Sequence, residues 1–291
     1  MTYKAPTLRQ FQKQFPTEEI CLDHLMRSRY GERHDCGKCG RNAKFYRVKA
    51  RKVYSCEFCG NQIAPMAGTP FERTRTPLQD WFFIMFLFTT SRNGVAAKEV
   101  ERHLGVTYKT AWRMCHEICK YMPLDSDDPL GGIGEEVEID ETLVGGSVSG
   151  MGSGYKDNKT CVVGMLERNG ELIARVVSSR TKPAMHGLIN AHVLPGTTIH
   201  TDEFGGYKDL ALNGYRHVTV NHAAKEYAKP CGAGVNAVEG FWAQLKRGIN
   251  GTHIHVSGKH LPKYLGEFEY RYNMRHVPHL MLPRLLASFA R

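Results

Sequence analysis

No apolar run in the 291-residue chain is long enough to cross a bilayer; the longest, Trp81 to Phe88, falls well short of the roughly 20 residues a membrane helix needs. The N-terminus has no apolar stretch followed by a small-residue cleavage site, so no secretory signal is read there. A disulfide framework is also missing. The cysteines number nine, which is odd, and four of them fall in two Cys-x-x-Cys pairs. These absences predict a cytoplasmic protein whose thiols serve a metal in a reducing compartment. Acidic residues are scarce in one part of the chain only. Residues 1–124 carry 21 Lys/Arg against 11 Asp/Glu, whereas residues 125–291 carry 18 of each, so the whole formal excess of +10 lies in the first part. Such a distribution is the footprint of a polyanion-binding region; its plainer reading is a solubilising basic surface.

Leu8 to Arg29 reads as a short helical segment anchored by Phe11, Phe15, Ile20, Leu22 and Leu25. Next come Cys36-Gly-Lys-Cys39-Gly40 and Cys56-Glu-Phe-Cys59-Gly60, with 16 residues between the pairs (56 − 39 − 1). That spacing suits a tetrahedral four-thiolate Zn²⁺ site, with a glycine after each pair to ease the turn around the metal. Lys44–Val48 and Lys52–Ser55 predict a hairpin between the pairs. A redox dithiol needs only one pair and a βαβ setting, and fits less well. Residues 1–70 are therefore expected to form a zinc-ribbon domain, with basic loops available to phosphates. Cys21, Cys115, Cys119, Cys161 and Cys231 are read as buried or neutral thiols.

Residues 71–124 predict three helices, Leu78 to Thr90, Ala96 to His103, and one from Thr107 to about Tyr121. The turn Leu104-Gly105-Val106 between the last two matches a helix-turn-helix. Its second helix offers Thr107, Tyr108, Lys109, Thr110 and Arg113 as DNA-contacting candidates. An ordinary three-helix bundle is the competing reading. Residues 125–134 are read as a linker.

Residues 135–291 read as strand, hairpin, helix, strand, short helix, strand and two helices. Val137–Asp140 is a strand ending in an acid, ahead of a glycine-rich loop that runs to Lys159. Arg168-Asn-Gly170 joins a hairpin of Cys161–Leu166 and Leu172–Val177. A helix follows Pro183, Thr197–Asp202 is a second acid-ended strand, a short helix lies near Tyr207–Leu212, and Tyr215–Asn221 is the last strand. Asn236–Arg247 forms a helix with Val238, Phe241, Trp242, Leu245 and Ile249 as its apolar stripe; Glu239 and Lys246, seven residues apart, share the border of that stripe. A long helix over Leu261 to Met274 closes the pattern. This order predicts an α/β, RNase H-like mixed sheet flanked by helices, in which Asp140, Asp202 and Glu239 converge. Three mutually repelling carboxylates suit a cation, and hard oxygens suit Mg²⁺ or Mn²⁺.

Each acid has a duller reading. Asp140 or Asp202 could cap a loop after a strand, and Glu239, three after Asn236, fits a capping box. Lys246 could be a surface lysine. Glu138, Glu141 and Glu203 are rival carboxylates, Glu138 being on the same strand face as Asp140.

Cys36/Cys39/Cys56/Cys59, Ile-Asp140-Glu-Thr, Thr-Asp202-Glu-Phe-Gly-Gly-Tyr and Asn236-Ala-Val-Glu239 with Lys246 together resemble a bacterial DDE-type insertion-sequence transposase. The branch is the one with an N-terminal zinc ribbon and an RNase H-like core. The acid spacing (202 − 140 = 62; 239 − 202 = 37) is similar to the family's long-then-about-35 pattern, and Val-Asn221-His222 resembles a further family motif. The resemblance implies two Mg²⁺ or Mn²⁺ ions held by Asp140, Asp202 and Glu239, and strand cleavage followed by attack of the freed 3′-hydroxyl on target DNA. It implies Lys246 on a DNA phosphate, terminal-repeat recognition by the ribbon and helix-turn-helix, and a homo-oligomer, a dimer, on nucleoid DNA. A hydrolytic nuclease of the same fold and a non-catalytic DNA-binding regulator are the alternatives.

Overall fold

The computed structural model describes residues 4–49, 51–122, 128–145, 159–220 and 234–290. The Asn221-His222 motif, Cys231, most of the glycine-rich loop before Lys159 and residues 123–127 lie outside these residues. The chain divides into two compact units, residues 1–91, 97–121 and 277–291 in the first, 92–96 and 122–276 in the second. Among the described residues, no helix is long and apolar enough to cross a membrane.

In the first unit the expected single N-terminal helix is two, α1 (Leu8–Gln14) and α2 (Glu18–Tyr30). The cause is local. Pro16 disfavours helix at Phe15, and Thr17 starts α2 afresh by accepting the Ile20 amide at 3.4 Å. The ribbon follows with β1 (His34–Asp35), β2 (Asn42–Ala43), β3 (Phe45–Arg47), β4 (Tyr54–Cys56) and β5 (Gln62–Ile63). The β3–β4 hairpin, expected over Lys44–Val48 and Lys52–Ser55, pairs Phe45 with Cys56 and Arg47 with Tyr54. Helices α3 (Leu78–Thr90), α4 (Ala97–Leu104) and α5 (Tyr108–Tyr121) complete the central part of the unit. A last helix, α9 (Met281–Ser288), returns to it: Phe289 stacks on Phe71 and Tyr121 at centroid distances of 5.3 and 4.2 Å. Its eight residues carry no cap or long periodic stripe, and the sequence reading passed over it.

The second unit is built on a five-stranded sheet, β6 (Glu136–Val144), β7 (Thr160–Glu167), β8 (Leu172–Val177), β9 (Thr198–Thr201) and β10 (Arg216–Thr219), in the order β10-β9-β6-β7-β8. β7 runs antiparallel to both of its neighbours, β6 and β8, whereas β9 and β10 run parallel to β6. This is the RNase H-like mixed sheet. Its β7–β8 hairpin turns at Asn169, whose φ of 63° asparagine tolerates. α7 (Asn236–Gly248) and α8 (Leu261–Asn273) cover one face, sealing Val144, Val162, Leu166 and Ala174. α6 (Lys182–His192) covers the other with two 3₁₀ turns, Gly205–Tyr207 and Leu210–Asn213, over Val137, Ile139 and Val163. The expected short helix near Tyr207–Leu212 is thus two separate turns, parted by Asp209 in the left-handed region.

Two further expectations are corrected. β6 does not end at Asp140; it pairs with β7 through Val144↔Thr160, because Thr142 and Val144 still point inward. The described part of the linker, residues 128–134, is integrated into the unit. Leu130 is buried and bridges Val193, and the Gly131 and Gly132 amides donate to Glu167 and Thr197 at 2.8 Å.

Candidate active site

The parallel register of β6 and β9 pairs Glu136 with Thr198, Val137 with Ile199 and Glu138 with His200. The offset is 62 residues (198 − 136), which is also the spacing of the two aspartates (202 − 140). The same offset relates Asp140 to Asp202, although the pairing stops at Glu138–His200 and Asp202 lies immediately past the end of β9; the charge of Asp202 nonetheless reaches Asp140. β9 has ended there, and Asp202 Oδ1 accepts the Phe204 amide at 3.0 Å, so a loop-capping role for Asp202 is present as well.

α7 runs alongside β6 in the same direction, and three contacts fix it. Glu138 Oε2 accepts the amides of Ala237 and Val238 at 2.9 and 3.3 Å, so a strand carboxylate caps the helix and meets its positive end. Trp242 Nε1 donates to Asp140 Oδ2 at 3.0 Å. Further along, Lys246 and Ile249 share a pocket with Leu143, Val144 and Gly145. Trp242 can come this close because residue 164, opposite Asp140 on β7, is glycine; a Cβ there would lie 2.7 Å from the indole. The predicted stripe Val238, Phe241, Trp242, Leu245 and Ile249 is buried throughout.

The capping-box reading of Glu239 does not hold. Asn236 is inside the helix, Val235 is the N-cap, and the first amides are taken by Glu138. The rival carboxylates are otherwise engaged: Glu138 by α7 and by Arg168 Nε at 3.1 Å, and Glu141, on the opposite sheet face, by Arg180 and by Tyr207 Oη at 2.6 Å. Glu203 is exposed. Sequence reasoning missed Trp242 and Glu138 as positioning groups; the one available signal was the strand alternation that puts Glu138 beside Asp140.

Burial pushes the Asp140 carboxyl up from 3.8 to about 6, the negative charges of Glu141 and Asp202 add to this, and the Trp242 N–H opposes it. Folding therefore favours the protonated acid. Stability linked to Asp140 is fully present below about pH 4 and is lost as pH rises towards 6. Without divalent cations, Asp140→Asn is expected to melt higher than wild type at pH 8, by on the order of 1–2 kcal/mol or a few degrees, and to lose that advantage at pH 4. Thermal melts in EDTA at both pH values check this.

Glu239 is exposed on the first turn of α7, one turn before Trp242, and Lys246 is exposed two turns after it. Among the described residues, the cysteines Cys36, Cys39, Cys56 and Cys59 form the group whose ligand atoms lie mutually within 4.8 Å; the three carboxylates are not gathered to that spacing.

The cysteine cluster is nearly tetrahedral in scale. Cys36–Cys59 and Cys39–Cys56 sulfurs are 3.6 and 4.0 Å apart, against edges of about 3.8 Å for a Zn–S tetrahedron and far from a disulfide bond. Gly40 and Gly60, at φ 67° and 69°, close the two knuckles by donating to the Cys36 and Cys56 carbonyls. Backbone amides of Cys39 and Lys38 pull the Cys36 thiol down to about 6, whereas burial and the neighbouring cysteines push the Cys59 thiol up to about 11, so one proton is shared within the cluster in the absence of a metal. In the helical segment, Gly105 takes φ 65° in the turn before α5, and Thr107 Oγ1 accepts the Thr110 amide at 3.3 Å. Tyr108, Lys109 and Arg113 are exposed on α5; Lys98 lies over the Tyr108 ring and Arg113 over that of Trp81.

An RNase H-like mixed sheet and a four-cysteine ribbon in one chain are the two parts expected of a DDE-type insertion-sequence transposase. A family model described as ISXO2-like transposase domain matches residues 129–273, and one described as transposase zinc-ribbon domain matches residues 16–62. The chain belongs to this transposase family. It is similar, at 25% identity over 281 residues, to an "Uncharacterized protein in transposable element ISH50" of Halobacterium salinarum, covering 89% of this chain and 92% of that one.

Proposed function

We propose that this transposase binds the terminal repeats of its element and cuts and joins DNA strands at Asp140, Asp202 and Glu239. The observation that supports the reading is the 62-residue offset shared by the β6–β9 register and the two aspartates, with the Asp140 carboxyl pushed up by burial and by the charges of Glu141 and Asp202. A divalent cation would relieve that repulsion, and the all-oxygen donor set suits Mg²⁺ or Mn²⁺. When bound, two such ions supply Lewis-acid stabilisation of the attacking and leaving oxygens of phosphodiester displacement. In this reading Asp140 and Asp202 are the fixed ligands, Trp242 orients Asp140, and Glu138 anchors α7 so that Glu239 can approach from its first turn. Lys246 grips a phosphate of the DNA end.

Zn²⁺ on Cys36, Cys39, Cys56 and Cys59 would hold the ribbon, which with α5 recognises duplex DNA. Thr107, Tyr108, Lys109 and Arg113 make the contacts, and a dimer pairs two ends on the bacterial nucleoid. Lys109→Ala is expected to weaken binding similarly across sequences and lower the salt slope of the affinity by about one, read by anisotropy titrations at several salt concentrations.

The deciding experiment supplies precut DNA ends and a target plasmid in Mg²⁺. The proposal expects covalent joining of the 3′ ends to the target. Hydrolysis without joining would assign the site to a nuclease instead.

A further inference from the structure

α7 passes directly into a π-helical turn, Ile249–His253, and the chain leaves it through Ile254 at φ 64°, ψ −51°. The His255 amide donates to the His253 carbonyl at 2.7 Å. This is a γ-turn of the rare positive-φ kind, strained for any residue and most of all for a β-branched one. Of the four non-glycine residues with positive φ among those described, Ile254 alone is β-branched. Its residue is 82% exposed, so no buried packing offsets the strain. Strain held where folding gains nothing from it points to a role in binding.

Beside this turn is a pocket of about 190 Å³, with Val144 and Gly145 at the end of β6 on one side, Lys246 on α7 on another, and Asn250, Ile254 and His255 completing the rim. Its surroundings are basic. From Gly240 to Gly266 the sequence contains no Asp or Glu, but has Lys246, Arg247, Lys259, Lys263 and three histidines. Lys246, Arg247, His255 and Lys259 are all exposed. An apolar tip beside Lys246, in a stretch of sequence with basic residues and no acid, suits nucleic acid, whose phosphates need the charges and whose bases meet the apolar group. Lys246 is seven residues beyond Glu239, roughly 10 Å along the helix; Val144 is four beyond Asp140, roughly 13 Å along the strand. The pocket thus lies about three to four base steps from the acids.

We propose that Ile254 is a wedge that enters the base stack near the end of the DNA, and that the adjoining pocket receives the base it displaces. Apolar side chains pushed between base steps unstack them in this way, and a displaced base needs a pocket with polar groups at its edge, here Asn250 and His255. The proposal rests on the transposase reading.

The test uses the full-length Asp202→Asn chain, so that strands remain intact, and duplexes from the DNA flanking the gene with 2-aminopurine placed at successive positions near the end. With Ile254 present, one position about three to four steps from the cleavage point should brighten several-fold on binding. Adding Ile254→Gly should abolish that rise while anisotropy shows DNA still bound, and Ile254→Leu should restore it. Because glycine accepts this backbone, Ile254→Gly should melt no lower than its parent. With Asp202 restored, Ile254→Gly should lose about tenfold or more in cleavage of paired ends and recover on ends whose terminal pairs are mismatched. An equal rise with and without Ile254, or no rise at any position in a chain that binds, overturns the wedge. Failure of any variant to bind this DNA overturns the transposase reading, and the wedge with it.

Discussion

Asp140→Asn and Asp202→Asn are each expected to lower Mg²⁺-dependent DNA cleavage by on the order of a thousandfold or more, with DNA binding retained. Asparagine keeps the shape of the side chain and an oxygen that can accept the Trp242 N–H, so α7 stays docked on β6. What it removes is the charge that the cation requires. The Asp140 variant should also be the more stable protein above pH 6 when no cation is present, since wild-type folding raises the pKa of that carboxyl. Lost activity with raised stability is the signature of a functional acid; a structural acid would lose both. End-labelled cleavage and anisotropy on the same preparation read the two quantities. Full cleavage by either variant would remove that aspartate from the active site.

Cys36→Ser combined with Cys56→Ser is the second large effect. The ribbon's strands are two or three residues long, β3 and β4 being the longest at three each. Such a segment has too little core to hold itself, and structural zinc sites contribute about 10–16 kcal/mol in comparable small domains. Wild type is expected to carry about one tightly held zinc per chain. The double variant should lose it, together with most of its DNA affinity, and added zinc should not restore either. Zinc retained at the wild-type level by the serine variant would contradict the four-thiolate site.

Much of this was legible because the signals were local or periodic. The two Cys-x-x-Cys pairs, the Asn-Gly hairpin and the α7 stripe each rest on residues a few positions apart. The 62-residue acid spacing was legible as a number, but its meaning needed the sheet, where it is the β6–β9 register. What stayed hidden depends on partners about a hundred residues away. Glu138 read as a rival metal ligand until the amides of Ala237 and Val238 were seen to take it, and Trp242 read as core until its N–H reached Asp140. Asp140 read as a strand end because Gly145 and Gly146 follow, yet inward-facing Thr142 and Val144 extend the strand past it. Nothing in the residue types foretells a positive φ at Ile254, since isoleucine is among the least suited to it.

The central claim is that Glu239, one turn from the tryptophan that holds Asp140, joins the two aspartates on the same cations. Mn²⁺ binding to the full-length, zinc-loaded chain on DNA, followed by electron paramagnetic resonance, tests it most directly. Wild type should hold about two ions, with fewer in Asp140→Asn and in Glu239→Gln and matching losses of cleavage. Unchanged Mn²⁺ occupancy and cleavage in Glu239→Gln would contradict it and leave Glu239 a surface acid on α7.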